Sequence, residues 1–184
     1  MKKIITLTFL NLSIFCKAQN ASVEKSVFGI QTGFLGIWAH NESRLSNTIA
    51  LRSEIGFDAS IWDGSIYHEV GFALFPVLTL EPRFYYNLNK RNSKSKVIAN
   101  NSGNFISLQT SFHPDWFVIS NYEYGTLYSI ISIIPTWGIR RNMGPQFNFE
   151  AGTGIGYRYV FEKAGWHGDG EAAANLHLRI GYVF

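Results

Sequence analysis

The 184-residue chain has a single cysteine, five prolines and only 16% charged residues. One cysteine excludes an internal disulfide framework and a cysteine-ligated zinc module. The scarcity of proline, beside 46% hydrophobic and 16% aromatic residues, excludes a disordered chain. After Ala18 no apolar run approaches the roughly 18 residues that a transmembrane helix needs, and helical periodicity is almost absent. The length fits one compact domain.

The formal charge of +3 would suggest a nucleic-acid partner if it were spread along the chain. It is not. The N-terminus reads Met1-Lys2-Lys3, then an apolar stretch from Ile4 to Phe15, then Cys16-Lys17-Ala18 before Gln19. A basic start, a short apolar core and a small residue at the cut are the plan of a cleavable export signal over residues 1–18. A lipoprotein cut at Cys16 fits less well, because Phe15 stands where a small residue is needed. The segment carries Lys2, Lys3 and Lys17 of the 16 basic residues and none of the 13 acidic ones, leaving 13 of each on residues 19–184. The exported domain is therefore neutral, and no nucleic-acid partner is expected.

What is present is period-2 alternation. Over Phe147–Phe161, Phe147, Phe149, Ala151, Ile155, Tyr157, Tyr159 and Phe161 share one parity; Asn148, Glu150, Arg158 and Gly152, Gly154, Gly156 share the other. The segments Thr48–Ile61, Leu74–Leu88 and Ala174–Phe184 repeat this, and weaker strands are expected at Val27–Ala39, Asn104–Phe112 and Leu127–Ile139. Polar connections separate them at His40–Asn47, Trp62–Ser65, Asn89–Gly103, His113–Thr126, Arg140–Pro145 and Glu162–Ala172. With no helix between strands, the fold expected is an all-β antiparallel meander.

Such strands suit either a soluble barrel with an apolar interior or a membrane barrel with an apolar exterior. The polar parity decides, because it carries glycine with Arg52, Glu54, Asp58, Glu81, Arg83, Glu150, Arg158 and Arg179, and no lysine. Near-balanced arginine and carboxylate suit a narrow interior in which paired charges fill the space. The other parity places Trp38, Phe84, Tyr86, Trp137, Tyr157, Tyr159, Phe161, Tyr182 and Phe184 near strand ends, as in interfacial aromatic girdles. Pro76, Pro82 and Pro135 run against a closed sheet and are expected at bulges or strand ends.

At its C-terminus, Leu176-His177-Leu178-Arg179-Ile180-Gly181-Tyr182-Val183-Phe184 resembles the assembly signal of Gram-negative outer-membrane proteins, with Leu176, Leu178, Ile180, Tyr182 and Phe184 alternating back from a terminal Phe. Leu80–Leu88 is similar to segments of small OmpA-like or OmpX-like transmembrane barrels. The resemblance implies an up-and-down barrel, location in the outer membrane among phospholipid and lipopolysaccharide, insertion by the barrel-assembly machinery, and no enzymatic activity. Its extracellular ligand is left open.

Single-chain bacterial barrels have an even number of strands, whereas seven are clear here. Asp115–Ser120 is the expected eighth. The charges of the connections alternate, with Arg44, Lys90-Arg91, Lys94, Lys96 and Arg140-Arg141 on one set and Asp63, Glu69, Asp115, Glu123, Glu162, Asp169 and Glu171 on the other. That gives one basic and one acidic rim.

Catalytic and cofactor signals are weak. Gly152-Thr153-Gly154-Ile155-Gly156 lacks the following helix that a phosphate loop needs. His40, His68, His113, His167 and His177 have no ligand spacing, so no metal or other cofactor is expected. His177 and Glu150 share the polar parity of adjacent strands, but no serine accompanies them for acyl-transfer chemistry. The expected function is a non-enzymatic outer-membrane barrel with a side-chain-filled lumen, acting through its loops. A narrow solute channel, a lipid-modifying barrel and a soluble secreted lipid binder are the alternatives.

Overall fold

A computed structural model describes residues 21–62, 71–121, 123, 125–163, 165 and 167–184. The export signal read at 1–18, and Asp63, His68 and Glu69 of the connection after Trp62, lie outside the described residues.

The chain forms β1 (Ser26–Gly33), β2 (Gly36–Arg44), β3 (Ile49–Trp62), β4 (Gly71–Tyr85), β5 (Asn104–His113), β6 (Ile119–Ser120), β7 (Ile130–Met143), β8 (Phe147–Val160) and β9 (Asp169–Val183). All pairings are antiparallel. Neighbours in sequence are neighbours in the sheet, and β9 returns to β1, so eight strands close in a ring. β6 is an appendage that pairs Ser120 with Ala73 and Ile119 with Leu74 at the end of β4.

The count of eight is met, but by a different strand from the one expected. Asp115–Ser120 contributes only the two residues of β6. The eighth strand lies within Val27–Ala39 and the supposed connection that follows it, which together fold as the β1–β2 hairpin. Its turn is Phe34-Leu35, two apolar residues between Gly33 and Gly36. No Asn-Gly or Asp-Gly marks it, so the alternation read straight across the turn. Gly36 has φ +150°, and a Cβ there would sit 2.2 Å from the Phe57 carbonyl and 2.5 Å from the Trp38 ring. Gly36→Ala is therefore expected to lower stability by about 1–3 kcal/mol, read as a fall in the urea midpoint of the folded protein.

The prolines lie inside strands and not at bulges. Pro76, Pro82 and Pro135 pair with Phe57, Leu51 and Leu108 on one side. On the other side the ladder is interrupted: β4–β5 pairing skips Glu81 and Pro82 and ends at Leu78, and β7–β8 pairing skips Ile134 and Pro135. Each missing N–H thus coincides with a local break toward one neighbour.

The ring is strongly sheared. Stepping through partners from Gly29 leads to His40, Glu54, Thr79, Ser111, Ser132, Arg158 and Glu171, yet Gly29 itself pairs with Val183 on the same β9. Glu171 and Val183 are twelve residues apart. At roughly 3.3 Å per residue and 4.8 Å per strand, that slip over eight spacings tilts the strands about 45° from the axis. The backbone ring is then about 17 Å across, wide enough for long side chains or a small ligand inside.

Both ends of the described chain, Ala21 and Phe184, lie at one end, termed the base, where the Phe184 amide donates to the Phe28 carbonyl. The base is closed by packing. Ala21, Val23, Ala50, Tyr85, Leu88 and Phe105 form the apolar cluster. Residues 21–24 are tied down by Val23 N–H to the Asn47 carbonyl, Ala21 N–H to Asn89 and Glu24 N–H to Asn101. The 86–103 connection, with the short helix α1 (Leu88–Asn92), supplies Asn89 and Asn101. The opposite end, the mouth, is where β1, β3, β5 and β8 end.

Splitting the first strand also settles the rims. Arg44, Lys90, Arg91, Lys94 and Lys96 fall at the base, and Asp115, Glu123, Glu162, Asp169 and Glu171 at the mouth.

Candidate functional site

Inside the ring, the lower half is a packed charge cluster. Arg52, Arg83, Arg140 and Arg179 meet Glu42, Glu54, Glu81 and Glu150, and all eight are buried. Four cations against four carboxylates leave the cluster neutral. Glu150 is its hub: it takes two 2.8 Å bonds from the Arg83 guanidinium, lies 2.7 Å from Arg140 and 3.8 Å from Arg52. Glu42 accepts from Arg83 at 3.1 Å and lies 2.8 Å from Arg140, and it also receives the Tyr85 hydroxyl and the Asn101 amide. Arg83 reaches Glu81 at 2.7 Å, and Ser107 donates to Glu81. Arg52 pairs with Glu54, which Arg179 also bonds at 2.7 Å. Gln31 accepts from Arg52 and donates to Asn148, carrying the network across the lumen. Guanidinium planes also stack, Arg179 4.0 Å over Trp38 and Arg83 4.2 Å over Phe105.

Of the expected lumen charges, Arg52, Glu54, Glu81, Arg83, Glu150 and Arg179 are brought together here. Asp58 and Arg158 are not. Asp58 stands higher, bonded to His113 at 2.8 Å and to the Trp38 indole at 2.8 Å. Arg158 is half-exposed at the mouth, paired with Glu171 at 2.6 Å. Glu42 and Arg140, expected in connections, are instead central, because β2 and β7 run further than the alternation suggests. Trp38 is corrected in the same way: it is 5% exposed and inside the ring, since the Phe34-Leu35 turn resets the parity of β2. His40 likewise is buried in β2 and not beside a connection.

The upper half is an open cup. A cavity of about 620 Å³ is lined by Phe75, Gln109, Ser111, His113, Ser132 and Ile134 among others. A second of about 570 Å³ adjoins it at Leu35, Asp58, Gln109, Ala174 and Asn175. The expectation of a filled lumen thus holds for the base half only. The polar groups of the cup are largely satisfied by one another: Asn175 donates to Gln109 at 2.7 Å, and Ser111 and Thr79 share a 2.9 Å bond. Glycines on β8 fit their neighbours closely, a Cβ on Gly152 falling 2.5 Å from the His177 ring.

His177 does approach Glu150, at 3.5 Å. Its Nδ1 faces Asn175, and among the described residues no serine hydroxyl bonds to His177 or His113. Among the described residues, too, no group of three His, Cys, Asp or Glu gathers as metal ligands.

At the mouth, Lys163 bonds Asp115 at 2.5 Å, and Ser129 donates to the same carboxylate. The Lys163 and Ser129 bonds hold the Asp115 carboxyl below its ordinary range. The bond between these two connections is therefore kept above the ordinary carboxylate pKa and lost as pH falls through the depressed value. Proteolysis of the 114–129 connection is expected to quicken only below that range.

The outer face is the reverse of the interior. Ile55, Leu80, Ile106, Ile155, Leu176, Leu178 and Ile180 all point outward and are exposed, Leu176 by 80% and Ile155 by 77%. Aromatic residues lie beyond this aliphatic belt at both ends. Toward the base, Phe147 packs edge-on against Tyr182 and Tyr182 against Phe184, and the Tyr86 hydroxyl accepts from the indole of Trp137, which stands in the belt opposite Ile106. Toward the mouth, Tyr159 packs on Phe161. Phe147 and Tyr159 are twelve residues apart on β8, about 28 Å along the axis at ~3.3 Å per residue and the tilt above.

No family model, curated protein or solved structure matches this chain.

Proposed function

We propose that the chain is an integral outer-membrane β-barrel of the small OmpA-like or OmpX-like kind. It is non-enzymatic, exported by residues 1–18, and acts through the connections at its mouth. The observation that carries this reading is the encircling apolar exterior around a charged interior. Soluble monomers rarely expose apolar patches beyond a few hundred Å². A belt of about 28 Å between aromatic rings matches the roughly 25 Å apolar band of transmembrane barrels. A soluble lipid carrier needs the opposite arrangement. The row Leu176, Leu178, Ile180, Tyr182, Phe184 points outward, which suits recognition by the barrel-assembly machinery.

The closed base favours a platform over a solute channel. The test is reconstitution into a planar bilayer: the intact protein is expected to give no discrete conductance steps. Regular single-channel steps would contradict the plug and favour the channel reading. Release of fatty acid from lipid A, abolished by His177→Ala, would overturn the non-enzymatic reading.

A further inference from the structure

The wall of the ring is not equally high all round. β1 pairs with β9 only from Gly29↔Val183 to Gly33↔Arg179. Beyond that pair β9 runs on from Leu178 to Asp169, about 30 Å of strand at ~3.3 Å per residue. Among the described residues nothing pairs with this stretch on the β1 side. On the other flank, β2 ends against β3 at Gly36↔Asp58, the Ala59 amide bonds the Leu35 carbonyl, and among the described residues β3 runs on through Ser60 and Ile61 beyond the last β2 partner. Among the described residues a notch therefore opens between β9 and β3 above the short β1–β2 hairpin. The second cavity runs into it, since its lining includes the outward-facing Leu176 and Leu178 as well as the inward-facing Trp38 and Gln109.

The rim of the notch is apolar. The hairpin tip is Phe34-Leu35, with Phe34 87% exposed, and the flanks carry Leu176, Leu178, Ala174 and Ile61. Hairpin turns that end in water are built from polar residues and glycine. A Phe-Leu tip belongs to a turn that ends within hydrocarbon. An unpaired strand edge facing lipid is costly unless it borders a cavity, and here it does.

We infer that the notch is a side opening through which the acyl chain of a single-chain amphiphile passes from the mouth-side leaflet into the cup. There the chain lies along Leu35, Phe75 and Ile134, and the headgroup meets the Asp58–His113 pair and Gln109. The inference rests on the membrane reading above. The cup volume lies within the range of small-molecule sites.

The test uses the full chain refolded into phosphatidylcholine vesicles containing lysophosphatidylcholine with a diazirine at its acyl terminus. After photolysis, adducts are mapped by mass spectrometry. β5 and β7 supply an internal control, because Ser111 and Ile134 face the cup while Leu108 and Ile133 face outward. Adducts on the cup-facing residues are expected beside those on the outward ones. Ala174→Trp, which fills the lip, should cut cup labelling about tenfold and leave outward labelling unchanged. If that variant does not fold, Ser60→Trp on the facing lip replaces it. Adducts confined to outward residues of the folded, vesicle-bound protein would overturn the side opening and leave the membrane reading intact. Failure of the chain to associate with vesicles at all would overturn the membrane reading itself.

Discussion

Glu150→Ala is expected to destabilise the barrel by about 3–5 kcal/mol, the cost of stranding buried charge. The variant leaves Arg83 without its two-bond partner and removes a carboxylate from Arg140, Arg52 and His177. The interior would then hold four guanidinium groups against three carboxylates. Urea unfolding of the refolded protein reads the loss. Because the same groups fill the lower lumen, the variant should also admit ions that the intact protein excludes. Arg83→Ala has the opposite sign of imbalance and should be equally harmful alone. The double variant restores neutrality and is expected to cost less than the two single changes combined. Strictly additive losses would mean that the two residues are not coupled, against the geometry.

A second large effect is expected on the outside. Ile155 is 77% exposed and lies midway along the aliphatic belt. In a water-soluble protein, Ile155→Arg on such a site would alter stability by no more than about 0.5 kcal/mol. In a bilayer the same arginine sits near the midplane and costs about 2–4 kcal/mol. Leu176→Arg, on the neighbouring β9, should behave alike. Asn41, an outward polar residue near the base, gives the contrast: Asn41→Arg lies close to the interface and should cost about 0–1 kcal/mol. The depth dependence separates the two environments more sharply than either variant alone.

The architecture was legible where one face of each strand is uniformly apolar. β8, β9, β4 and β3 announce themselves by alternation, and their shared parity foretold both the aliphatic exterior and six members of the charge cluster. The first hairpin was hidden because its turn carries Phe34-Leu35 and its outward positions Asn41 and Ser43 are polar. Reading through that turn misplaced the eighth strand, assigned Trp38 to the wrong face and left Glu42 outside the lumen. Arg140 was missed for a related reason: Arg140-Arg141 reads as a basic connection, yet strand geometry sends Arg140 inward and Arg141 outward, where it bonds Asn104 and the Gly103 carbonyl. One signal was available: the alternating rim charges put the end of the last strand at the basic rim, an even count puts the first strand's start at that same rim, and only a strand hidden early in the barrel satisfies both. The open cup was not foreseeable from parity, which says which residues face inward and not how much space they leave. Its size follows from the twelve-residue stagger, a property of pairing register that no single segment encodes.

The most direct test of the membrane reading is electrophoresis of the membrane fraction with and without boiling. Transmembrane barrels keep their folded ring in cold detergent, so the protein is expected to sediment with the outer membrane and to show two mobilities, the unboiled band converting to a second position on heating. A protein found in the soluble fraction, running at one position whether boiled or not, would contradict it.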